Sequence, residues 1–134
     1  MIDHHAALIY TMVLVSAADR DMSDLELETI GDIIGHWPVF HDFDRERLSE
    51  TAQACAELLR DDDGLDRALD AVRAGLPDKL TETAYALACD IAAADRTASQ
   101  EELRLLELLR DRLDVGRLEA AAIERGVRAR RMTL

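Results

Sequence analysis

Apolar residues recur along the chain at steps of three and four, the period of an α-helix, and nowhere alternate with polar residues over a strand's length. Seven helical segments can be placed. The first, from about Asp3 to Ala18, sets Leu8, Ile9, Met12, Val13 and Ser16 on one broad face and is apolar nearly all round, which predicts a central position. The second starts at Ser23, carries Leu27, Ile30, Ile33, Ile34 and Trp37, and stops at Pro38, whose ring cannot continue a helix. After the Val39 to Asp42 connection a third carries Leu48, Ala52, Cys55 and Leu59, ending in Asp61-Asp62-Asp63-Gly64, a solvated turn. The fourth carries Leu65, Leu69, Val72 and Leu76, with Gly75 and Pro77 marking its end. The fifth, about Asp78 to Ala94, holds the small apolar run Ala84 to Cys89 and should be as buried as the first. The sixth begins at Ser99 and presents Leu103, Leu106, Leu109 and Leu113. The seventh begins near Val115 and carries Leu118, Ala122 and Ile123 ahead of Arg125, Arg128, Arg130 and Arg131. Those arginines suit a helix C-terminus, where cations complement the dipole and the chain end frays.

Composition agrees with this pattern. The 134 residues are 49% hydrophobic, 33% charged and only 4% aromatic, the make-up of one folded all-α domain over 1–134. With 28 Asp and Glu against 16 Lys and Arg the formal charge is −12, so nucleic acid and anionic membrane are poor partners. A divalent cation or a basic protein suits such a surface better, or the charge serves solubility alone. The longest stretch without a charged side chain, Ala6 to Ala18, falls short of the roughly 20 apolar residues that cross a bilayer. The start Met1-Ile2-Asp3-His4-His5 lacks the basic opening of a secretory signal, and a cytoplasmic location is expected. Cys55 and Cys89 each sit in an apolar helical pattern and read as core thiols of a reducing compartment, with no disulfide or zinc framework.

The chain also repeats itself. Ala17-Ala18-Asp19-Arg20-Asp21-Met22-Ser23-Asp24-Leu25-Glu26-Leu27 aligns with Ala93-Ala94-Asp95-Arg96-Thr97-Ala98-Ser99-Gln100-Glu101-Glu102-Leu103 at seven identical positions of eleven. The same offset of 76 residues then pairs Ile30 with Leu106, Ile33 with Leu109 and Trp37 with Leu113. Two helix-loop-helix units, about 3–37 and 78–113, are expected to superimpose as a pseudo-two-fold bundle.

At these residues the sequence resembles the TerB-like tellurite resistance proteins. The signature of that family is a helix ending in Ala-Ala-Asp-Gly, a short loop, and a helix opening with Ser-x-x-Glu, occurring twice. Here it stands as Ala17-Ala18-Asp19-Arg20 with Ser23 and Glu26, and as Ala93-Ala94-Asp95-Arg96 with Ser99 and Glu102. The resemblance implies an all-helical domain linked to tellurite and other stress responses. It also implies an acidic divalent-cation site, for Ca²⁺ or Mg²⁺, with Asp19, Glu26, Asp95 and Glu102 as ligands and Asp21 as an auxiliary. The loop Gly of the family is Arg20 in one copy and Arg96 in the other, and either guanidinium could pair with the carboxylates instead.

The same residues support a plainer role. Ser23-x-x-Glu26 and Ser99-x-x-Glu102 are capping boxes, in which the serine accepts the third amide and the glutamate reaches back to the cap amide. Asp19, Asp21 and Ser23 match the first three ligand positions of an EF-hand loop, but Asp24 replaces the sixth-position Gly and Ile30 the twelfth-position Glu. An all-oxygen donor set favours Ca²⁺ or Mg²⁺ over zinc. His4, His5, His36 and His41 lack metal-ligand spacing and read as surface or cap residues, and no nucleophile motif or phosphate loop marks an enzyme. Two functions follow: a cation-binding TerB-type protein, or a non-enzymatic interaction module whose acidic helical face, with the Trp37 to Phe43 connection, meets a basic partner or a twin subunit.

Overall fold

Asp3 starts the first helix by accepting the Ala6 amide at 2.8 Å, the side-chain cap that the first exposed N–H groups of a helix require. In the computed structural model, which describes residues 1–18, 24–94 and 98–134, this helix is α1 (His4–Ser16), and every residue from His5 to Ser16 is buried. It is followed by α2 (Asp24–His36), α3 (Leu48–Leu58), α4 (Gly64–Gly75), α5 (Thr81–Ala93), α6 (Gln100–Arg112) and α7 (Arg117–Arg130). Short 3-10 turns at Pro38–Phe40, Arg45–Arg47 and Asp78–Leu80 join them, and no strand occurs among the described residues. The class is the expected all-α.

Two helices organise the packing. α1 lies against α3, α4, α5 and α6, and α5 lies against α1, α2, α6 and α7. α3 runs alongside α1, and α7 alongside α5, each pair in the same direction. Cys55 of α3 reaches the Tyr10 carbonyl of α1, and Tyr85 of α5 donates to Glu124 of α7 while Asp90 meets Arg130 further on. α4 runs back along α1. A Cβ at Gly75 would come within 2.8 Å of the Ile2 carbonyl oxygen, so glycine permits that close approach. Buried side chains from Ala7 to Val127 make one continuous core.

Several expected positions are corrected. α5 begins at Thr81, not Asp78, because Pro77 is followed by a 3-10 turn. The expected stripe on α6 is rotated: Glu102, Leu105 and Leu109 are buried with Leu113, whereas Leu103 is 44% exposed and Leu106 half-buried. Leucines at 105, 106, 108 and 109 put apolar surface on most of that helix, and packing on both α1 and α5 decides which face turns in. On α7, Ala120 and Val127 are buried against the core while Leu118 is 78% exposed, and the exposed Glu124 still accepts from Tyr85 of α5. Leu27 and Leu65 are exposed too.

His5 is no surface residue. It is buried, its Nε2 lies 2.8 Å from the Val39 carbonyl oxygen and 3.3 Å from Asp42 Oδ1, and its ring stacks on Phe40 and meets Phe43 edge-on. The Trp37 to Phe43 connection is thereby fastened to the start of α1.

Candidate functional site

Each copy of the repeat ends its loop with a helix whose third residue is a glutamate, and both glutamates are turned inward. Glu26 in the first turn of α2 is 4% exposed and Glu102 in the first turn of α6 is 5% exposed. The residues beside them, Leu27 and Leu103, are exposed in both copies, and Ile33 and Leu109 are buried in both. Further along, the units differ. Ile30 is buried but Leu106 only partly so, and α6 packs on both α1 and α5 whereas α2 packs chiefly on α5.

At α6 the capping box forms as expected. Ser99 Oγ accepts the Glu102 amide at 3.1 Å, and the Ser99 amide donates to Glu102 Oε1 at 3.0 Å. Two otherwise orphaned donors are satisfied, and the Glu102 carboxylate is fixed at the positive end of the helix dipole, which favours its charge. A carboxylate has two oxygens and about four lone-pair sites, so one amide bond leaves further acceptor capacity.

Asp19, Asp21 and Asp95 lie outside the described residues, together with Arg20, Ser23 and Arg96. Among the described residues, no three His, Cys, Asp or Glu side chains gather closely enough to hold a metal ion. A cation on Glu26 or Glu102 would therefore need the loop aspartates, and the donor set as a whole is the oxygen set that hard cations take.

Three features were not legible as local motifs. Ser16 Oγ, fully buried in the last turn of α1 just before the first loop, has no hydrogen-bond partner among the described residues. Tyr85 donates to Glu124 across 39 residues of sequence, and burial, then that hydrogen bond, hold its hydroxyl protonated far above the usual range. Asp90 is mostly enclosed between α5 and the end of α7. Burial raises its carboxyl above 3.8, against the opposing pull of Arg130 and Arg131. Burial also pushes both thiols, Cys55 and Cys89, up to about 12, which keeps them as unreactive core groups.

No helix of the described residues is long and apolar enough to cross a membrane. The family model described as tellurite resistance protein TerB matches residues 5–125, nearly the whole chain. No curated protein and no solved structure matches it.

Proposed function

The chain therefore belongs to the TerB family of tellurite resistance proteins, and from that premise we propose that it binds one divalent cation, calcium in preference to magnesium, between its two acidic loops. Asp19, Glu26, Asp95 and Glu102 are the ligands in this reading and Asp21 is an auxiliary. The proposed role is binding in a cytoplasmic stress response rather than catalysis. The observation that carries it is the burial of Glu26 and Glu102 at matching places in the repeat, each in the first turn of the helix that follows an Asp-bearing segment of sequence. An ionised carboxylate held out of water is costly unless hydrogen bonds, a helix N-terminus or a cation compensates it. Calcium accepts such carboxylates in irregular oxygen shells, whereas magnesium demands a stricter octahedron and parts with water reluctantly.

A second reading, the non-enzymatic interaction module, is favoured by the capping box at Ser99 and Glu102, which gives that pair a complete structural role without any ion.

Thermal melting separates the two. A ligand that binds only the folded state adds RT ln(1 + [L]/Kd), about 2.7 kcal/mol at a hundredfold excess, or several degrees of Tm. Calcium should raise Tm more than magnesium at equal ionic strength, and Asp19→Asn with Asp95→Asn should abolish the difference. An equal response to both ions, unchanged in that double variant, would reject the cation site and leave the interaction module.

A further inference from the structure

Two of the exposed C-terminal arginines reach the end of α5. Arg130 Nη2 lies 3.8 Å from Asp90 Oδ1, and Arg131 Nη2 donates to the Asp90 carbonyl oxygen at 3.4 Å, so the end of α7 is laid against the end of α5. With the start of α6 these ends enclose an open groove of about 840 Å³. Leu103, Leu106 and Val127 contribute to its apolar floor, and Arg128, Arg130 and Arg131 stand along it together with the carboxylates of Asp90 and Glu124. Three arginines against two carboxylates, with Arg130 already beside Asp90, leave the groove weakly basic next to exposed apolar surface, in a chain whose net charge is −12. Such a combination marks a docking surface, and its sign asks for an acidic occupant.

The chain carries an acidic, leucine-bearing surface of its own. α2 opens with Asp24-Leu25-Glu26-Leu27-Glu28, and only Glu26 of these five is turned inward. Leu25 is 52% and Leu27 53% exposed, flanked by the exposed carboxylates of Asp24 and Glu28. We propose that a second copy of this chain docks this α2 tip into the α5–α6–α7 groove, its leucines over Leu103 and Leu106 and its carboxylates against the arginines. The contact is heterologous, one surface meeting a different one. The mutual repulsion of two acidic chains makes it reversible and concentration-dependent. Asp24, Leu25, Leu27 and Glu28 flank Glu26, one of the proposed cation ligands, so the association is tested with metal removed.

Sedimentation equilibrium of the full chain in chelator provides the test. Wild type should gain average mass as concentration rises. A groove variant, Arg128→Glu with Leu103→Ser, and a tip variant, Leu25→Ser with Leu27→Ser, should each stay monomeric while keeping the wild-type circular dichroism spectrum. An equimolar mixture of the two should associate again, because one retains an intact tip and the other an intact groove. Should the double groove variant fail to fold, Arg128→Glu alone takes its place, since that side chain is exposed. A monomeric wild type at every concentration, variants that associate like wild type, or a mixture that stays monomeric would each overturn the proposal.

Discussion

Ser99 and Glu102 can be separated by two substitutions that touch different halves of one motif. Ser99→Ala removes the oxygen that accepts the Glu102 amide at 3.1 Å and leaves the Ser99 backbone N–H donating to Glu102 Oε1. The loss of one helix cap should cost about 1 kcal/mol, within a range of about 0.5 to 2. For a chain of this length that corresponds to roughly 3 to 5 °C of Tm. Glu102→Gln instead keeps an acceptor oxygen and nearly the same shape, so the metal-free Tm should change less than for Ser99→Ala. The two should then diverge on adding calcium. Ser99→Ala should keep the full calcium increment in Tm, because the serine acts only on the helix end, whereas Glu102→Gln should lose much of it, because a neutral amide is a poorer ligand for a hard cation. Differential scanning calorimetry with chelator and with saturating calcium supplies all the required values. A metal-free cost below about 0.3 kcal/mol for Ser99→Ala would refute the cap argument. An increment lost with Ser99→Ala and retained with Glu102→Gln would reverse the roles assigned to the two residues.

Three further outcomes are expected. Ser16→Ala should leave stability unchanged or raise it by about 1 kcal/mol in urea unfolding, because it removes a buried hydroxyl without a partner among the described residues and adds a better helix former; a clear destabilisation would show that the hydroxyl is satisfied. Leu109→Ala, at a fully buried position, should cost about 3 kcal/mol, whereas Leu103→Ala should stay within about 0.5 kcal/mol, and the reverse order would mean that α6 is rotated from the packing described here. Asp90 holds its proton more tightly in the folded chain than in the unfolded one, so its contribution to stability is full below 3.8 and is lost as pH rises through the elevated folded value. Asp90→Asn should therefore gain on wild type as pH rises from acid to neutral, and a constant difference in urea midpoints across that interval would refute the assignment.

The parts of this fold that could be read from the sequence are those fixed by short-range rules. Pro38 ends the second helix, Gly75 and Pro77 end the fourth, Ser99-x-x-Glu102 caps the sixth, and the uncharged run of α1 does lie at the centre. What could not be read depends on contacts between distant segments. His5 has nothing around it in sequence to predict burial; Phe40 and Phe43, more than thirty residues away, enclose it. Leu103 and Leu105 both belong to acceptable helical stripes that share Leu109, and only packing on α1 and α5 selects one. Leu118 faces outward because α7 packs through Ala120 and Val127 instead, a choice with no local trace. The repeat led directly to Glu26 and Glu102 as a matched pair, and the structure adds that both are buried. The aspartates expected to work with them, Asp19, Asp21 and Asp95, fall outside the described residues.

The central claim, one cation held jointly by both acidic loops, is tested most directly by isothermal titration of calcium into the chelator-treated full chain. The account predicts a single saturable site per chain that disappears in Asp19→Asn and equally in Asp95→Asn, since each loop supplies only part of the ligand set. Absence of saturable heat from wild type, or a site that survives the loss of either aspartate, would contradict it.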